Sequence, residues 1–242
     1  MADTVATLPG ALTRAAPPPE PPAAGPHGRH SPLQHRADEL ARAGRPGRSG
    51  VELREVPFLT QFNLRRRQRS GHNAAATLGF TPPLALPRTP GTVRRSGDRM
   101  AVWLGPDEWL IVTPPGTAAE TGNTLRAVAE ASAGPDGEAD TVYTAYTEVS
   151  AHSTTLRISG ARARDVLRKV CPIDLHPRAF GGDACAQTLL ARGARVLLVA
   201  DREPDGFLLF VRASFADYVT DWLLDSMAEY AAGDSPFKNE ER

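Results

Sequence analysis

Residues 154–180 read TTLRISGARARDVLRKVCPIDLHPRAF, and the fold follows from how this run is parsed. Thr154, Leu156 and Ile158 fall on one face, with Thr155, Arg157 and Ser159 on the other, the period-2 pattern of a half-buried strand. Gly160 turns the chain. Ala163, Val166, Leu167 and Val170 then recur at i, i+3, i+4 and i+7, which predicts a helix over 161–170 with Arg162, Arg164, Asp165, Arg168 and Lys169 around its apolar stripe. Pro172 ends it, because a proline drives the preceding residue, Cys171, out of helical geometry, and Lys169 suits the negative end of the helix dipole.

Working outward, residues 142–149 read as the strand before this run, and residues 185–191 as the strand after the Gly181-Gly182-Asp183 loop. Two almost wholly apolar strands, 195–200 and 206–211, are joined by a polar turn and form a hairpin. A helix over 214–228 follows, with Ser214 and Asp217 spaced as a capping box and Phe215, Tyr218, Val219, Trp222, Leu223 and Met227 as its stripe. Upstream, AVWLGPDEWLIVT (residues 101–113) predicts a second hairpin around Gly105-Pro106-Asp107-Glu108, with strands apolar on both faces and therefore covered twice. Residues 61–65 predict a strand, 72–79 a weak helix closed by Gly79, and 118–132 a helix burying Leu125, Val128 and Ala129. The stretch from Pro82 to Gly91, with Pro83, Pro87 and Pro90, predicts a surface connection.

The predicted class is α+β, with two ferredoxin-like, split-βαβ-type halves of antiparallel sheet and packed helices, residues 51–150 and 151–232. Residues 1–50 are rich in Pro, Arg and Ala, lack periodicity and offer few large apolar side chains. They predict a disordered tail, or a coding start placed too far upstream, while residues 233–242 predict a frayed end.

Of 242 residues, 28 are basic and 28 acidic, so no net field points to nucleic acid or an anionic membrane. All the basic residues but Lys169 and Lys238 are arginine, which the abundance of Ala, Gly and Pro marks as compositional bias. No apolar run approaches the roughly 20 residues of a membrane span, and no signal peptide is visible, so a cytoplasmic location is expected. Two cysteines, Cys171 and Cys185, are too few for a disulfide framework and read as small buried residues.

The chemistry is sparse. No phosphate-binding loop, dinucleotide fingerprint or nucleophile elbow is present. His27, His30 and His35 lie in the tail, leaving His72, His152 and His176. His176 follows Asp174 and could be a carboxylate-oriented base, but no nucleophile stands at a recognisable spacing, and a rigid CPIDLHP loop whose polar side chains bond backbone groups is the plainer reading. Trp103 and Trp109 could stack a heterocycle or fill a core, and Arg157 could bind an anion or sit in a salt bridge, with core and salt bridge the commoner cases. No catalytic, cofactor-binding or metal-binding residue is assigned.

Taken together, LRISGARARDVLRKVCPIDLHPRAF (156–180), CAQTLLAR (185–192), SFADYVTDWL (214–223), WLGPDEWLI (103–111) and NLR (63–65) resemble the gamma subunits of heterotetrameric sarcosine oxidases, over residues 51 to about 230. The strand-Gly-helix run also resembles the wider folate-binding aminomethyltransferase superfamily. The resemblance implies an aminomethyltransferase folate-binding-domain-like fold. It further implies an assembly with alpha (large), beta and delta subunits, the main contact being with the large subunit. That assembly would demethylate sarcosine oxidatively to glycine, pass the one-carbon unit to tetrahydrofolate and form hydrogen peroxide. FAD, FMN, NAD, zinc and tetrahydrofolate would then lie on the other subunits, and this chain would be structural and non-catalytic. A free-standing folate-binding transferase or folate-dependent regulator is the alternative. A heteromeric role also predicts an exposed apolar patch.

Overall fold

The computed structural model describes residues 28–43, 50–68, 76–132, 142–201 and 205–231. Period-2 apolar runs become strands and period-3.6 runs become helices, stacked in four layers. The second half opens with β9 (Ser153–Ser159), Gly160 and α3 (Ala163–Val170). The stripe Ala163, Val166, Leu167 and Val170 is buried, and Cys171, extended at φ −117° before Pro172, ends the helix as predicted. Next come β10 (Cys185–Leu190), β11 (Ala194–Ala200), β12 (Phe207–Arg212) and α4 (Ala216–Ala231). The first half runs β2 (Thr60–Gln68), β3 (Thr77–Leu78), β4 (Leu84–Ala85), β5 (Val93–Ser96), β6 (Arg99–Gly105), β7 (Glu108–Thr113), α2 (Ala118–Ser132) and β8 (Val142–Glu148).

The two large sheets share one strand plan. In the first, the order is β5-β6-β7-β2-β8. In the second it is β1-β9-β12-β11-β10, where β1 is Glu52–Glu55. Each has a three-strand meander followed by a helix, β5-β6-β7-α2 in one and β10-β11-β12-α4 in the other, with β2 or β9 beside the third meander strand. The fourth place of the split-βαβ order is filled by β8 in the first sheet and by β1 in the second. Glu52 therefore pairs with Ser159 and Glu55 with Leu156.

Alternation along each strand sorts the apolar residues into layers. On β11, Val196 and Leu198 face helices α1 (Ala37–Ala43), α3 and α4, whereas Leu197 and Val199 face the other sheet. On β7, Trp109 and Ile111 face α2 and the β3-β4 pair, whereas Leu110 and Val112 meet Leu197, Val199 and Phe210 between the sheets. Strands 101–113 are thus covered on both faces, as their composition predicts. Backbone bonds join the sheets along one side, with Val93 N–H donating to Asp183 O at 2.9 Å and Cys185 N–H to Gly91 O at 2.8 Å.

Several expectations are corrected. The tail reading fails over residues 28–43: α1 (Ala37–Ala43) lies against β1, Leu33 and Leu40 are buried in the second-half core, and Arg36 bonds Glu39 at 2.7 Å and Asp221 at 2.6 Å. Leu33, just before a 3-10 turn, and Leu40, seven residues on in α1, anchor it, and Arg36 ties it to α4. Residues 1–27, 44–49 and 232–242 lie outside the described set, and with them the rest of the tail and the frayed end. Assigning residues from 51 to the first half misplaces β1, whose partner is β9. The helix expected over 72–79 gives way to β3 at 77–78, its earlier part lying outside the described residues. The proline-rich connection contains β4 and buries Leu84 and Leu86, because its prolines flank the leucines rather than interrupt their pairing. Ser214 forms no side-chain cap; the chain enters α4 through a 3-10 turn, Ala213–Phe215.

Candidate binding cleft between the sheets

The inter-sheet layer is packed with apolar side chains along most of its length and opens at one end into a cleft of about 780 Å³. Its floor is Leu110, Leu197 and Phe210, the last apolar residues of the layer. From the first sheet, Asn63 and Arg65 of β2, Leu104 of β6, Glu108 of β7 and Thr147 of β8 reach it. From the second come Gln187 and Leu189 of β10, Arg195 of β11, Arg212 of β12 and Ser153 of β9, with His152 just before. Two amide bridges span the sheets at its flanks: Gln187 Nε2 donates to Leu104 O at 2.8 Å, and Gln61 Nε2 to Ser153 O at 3.2 Å. Glu108 holds the β2 side chains in place, accepting from Asn63 Nδ2 at 2.8 Å and Arg65 at 2.9 Å.

The residues singled out by sequence lie elsewhere, His152 excepted. Asp174 Oδ1 accepts the His176 N–H at 2.8 Å, and His176 Nδ1 accepts the Arg178 N–H at 3.2 Å, so CPIDLHP is a self-bonded loop. The Arg164 guanidinium anchors it by donating to Leu175 O while lying 5.0 Å over the Phe207 ring. Arg157 is ion-paired to Asp201 at 2.6 Å. Trp109 is fully buried with Nε1 donating to Pro87 O at 2.8 Å, and Trp103 packs against the inter-sheet layer. Both cysteines are buried; burial pushes the Cys171 thiol up, and the Cys185 thiol to about 11. His30 bonds Gln34, His35 pairs with Asp217, and His27 and His72 lie outside the described residues. Among the described residues no three His, Cys, Asp or Glu side chains cluster as metal ligands, and no helix is long and apolar enough to cross a membrane.

Sequence reasoning missed the cleft because Arg65, Arg195 and Arg212 each look like an ordinary surface arginine. The signal that could have found it is parity, since each sits on the strand face shared with inter-sheet apolar residues.

With this geometry in place, comparison with known proteins is decisive. Residues 70–229 match the model of the sarcosine oxidase, gamma subunit family. The chain belongs to that family. It is 38% identical over 205 residues to the sarcosine oxidase subunit gamma of Corynebacterium sp. (strain P-1), covering 84% of this chain and 92% of that protein. The subunit gamma of an Arthrobacter species gives 38% over 207 residues, with the same coverage. Among solved structures, a chain of the heterotetrameric sarcosine oxidase from Corynebacterium sp. U-96, in complex with pyrrole 2-carboxylate, superposes with a TM-score of 0.67 at 32% identity over 86% of this chain and 98% of that one. The glycine cleavage system aminomethyltransferase T of Bartonella henselae shares the fold alone, at TM-score 0.50 and 13% identity over 81% of this chain and 57% of that one. The gamma-family chain thus has the α+β, aminomethyltransferase-like fold that its motifs imply.

Proposed function

We propose that this chain is a structural, non-catalytic gamma subunit of a heterotetrameric, tetrahydrofolate-dependent sarcosine oxidase of the cytoplasm. It packs mainly on the large subunit, beta and delta complete the assembly, and FAD, FMN, NAD, zinc and tetrahydrofolate sit on those partners. The observation that carries the reading is the near full-length likeness to a chain of a heterotetrameric sarcosine oxidase. The polar side chains most able to do chemistry support it: Asp174, His176, Arg157 and Asp201 are spent on loop and ion-pair geometry. Co-expression with the other three subunits tests it. The expected outcome is a flavin complex whose yield and thermal stability fall sharply when this chain is left out; an active complex of normal yield and stability without it overturns the structural role.

A second reading, a free-standing folate-binding protein, is favoured by the cleft alone, whose volume falls in the usual range for small-molecule sites. Titration calorimetry of the chain with tetrahydrofolate decides it, and no heat at submillimolar ligand removes it.

A further inference from the structure

The cleft carries an unbalanced charge. Arg65 is answered by Glu108, but Arg195 and Arg212 make no ion pair among the described residues. They also face each other: the register that pairs Val196 with Val211 brings Arg195 opposite Arg212 one step further along the same two strands. Like charges directly opposite on neighbouring strands repel, and among the described residues no carboxylate pairs with either arginine. An anion between the two guanidinium groups would relieve that repulsion.

The rim shows what carries that anion. Leu189, opposite Arg195 on β10, is 47% exposed. Three residues beyond Arg212, at the same end of the second sheet but on its helix-covered face, Phe215 and Tyr218 are 40% exposed each with ring centroids 6.2 Å apart, and Tyr218 Oη donates to Ala191 O in the turn before β11. Across the cleft, Tyr143 is 69% exposed on the same face of β8 as Thr147. Leu189 thus lies in the cleft itself, while the exposed aromatics stand outside its lining, where a small molecule seated in the cleft would leave them uncovered. Exposed aromatics beside arginine are the side chains most enriched at the energetic centres of protein interfaces.

We propose that the cleft and its rim dock an acidic, apolar-anchored segment of a companion subunit, with carboxylates seated between Arg195 and Arg212. The proposal rests on the subunit reading above and names the surface and the partner chemistry. Both arginines are exposed, so reversing them leaves the core intact.

The test is recovery of the full chain in the complex when co-expressed with its three companions. R195E/R212E is expected to lower recovery roughly tenfold or more, whereas R94E/R126E, the same charge change on β5 and α2, leaves it unchanged. The neutral pair R195Q/R212Q, which removes the repulsion as well as the attraction, is expected to lower it less, and the wild-type complex should loosen as salt rises from about 0.05 to 0.5 M. Far-UV circular dichroism of each variant confirms the fold. No complex with the wild-type chain overturns the subunit reading and the docking proposal together. A complex that tolerates R195E/R212E, or one equally damaged by R94E/R126E, overturns the docking proposal alone. Tolerance combined with heat on titrating glutarate into the wild-type chain, absent in R195E/R212E, assigns the cleft to a small carboxylate instead.

Discussion

Trp109 shows how one residue serves two layers of the fold. Its indole fills the space under α2, and its N–H satisfies the carbonyl of Pro87, tying the proline-rich connection to the first sheet. Trp109→Phe keeps a ring but strands that buried carbonyl and leaves a void. We expect a loss of about 2–4 kcal/mol in urea unfolding; a loss under about 0.5 would show that the bond contributes nothing. Cys185 gives a pH signature. Burial raises its thiol to about 11 from an ordinary 9.0, so between those values the unfolded chain sheds its proton while the folded chain keeps it. Stability from this group is therefore complete below about pH 9 and lost as pH rises through 11, by on the order of 3 kcal/mol. Compared with Cys185→Ala, wild-type stability should fall more steeply from pH 9 to 11, and parallel curves would refute the assignment.

At the scale of elements, the turn from β9 into α3 is fixed by Gly160. Its φ is +108°, and a Cβ there would stand 2.6 Å from Gly50 O and 3.3 Å from Val51 Cα. The same Gly50 carbonyl accepts the Arg162 N–H at 2.9 Å at the start of α3. Gly160 thus admits the backbone leading into β1 and lets it cap a helix that has no side-chain cap. Gly160→Ala should cost roughly 2 kcal/mol or more and should loosen β1 before the first sheet, read as faster hydrogen exchange at Arg54 and Val56, whose amides face β9. Uniform loss across both sheets would contradict this. What could be read beforehand follows from the same local logic. The bounds of α2 and, to within one or two residues, of the strands read over 101–113, 154–159 and 195–200 come from periodicity or from apolar runs closed by turn residues, which are local. β1, β3 and β4 escape it: ELRE and two-residue strands are too short to show a period, and their placement is decided by partners distant in sequence. The docking of Leu33 and Leu40 is hidden for the same reason, as is the meeting of Arg195 with Arg212, which appears only once two strands are in register.

For the whole molecule, the shared strand plan of the two sheets implies that cutting the chain at residue 150 does not give two equivalent pieces. The first sheet, β5-β6-β7-β2-β8, lies wholly within residues 60–148. A fragment of residues 151–231 lacks β1 and leaves the edge of β9 bare, an unpaired strand of the kind that invites aggregation. That fragment should be unfolded or aggregated alone and recover a dispersed amide spectrum when a peptide of residues 28–58 is added; independent folding would show β1 to be dispensable.

The place of β1 also sets a timetable on the ribosome. Glu52 is made early, yet its partner Ser159 follows only after roughly a hundred further residues, a loop whose closure is entropically unfavourable. At typical elongation rates of about 5–20 residues per second, the strand waits on the order of 5–20 s for its neighbour. During that interval the first sheet has all its strands available and the second has none but β1. The nascent chain therefore emerges with one half competent to fold and a sticky leading strand, and its passage through synthesis is governed by whatever shields residues 51–55 until β9 arrives.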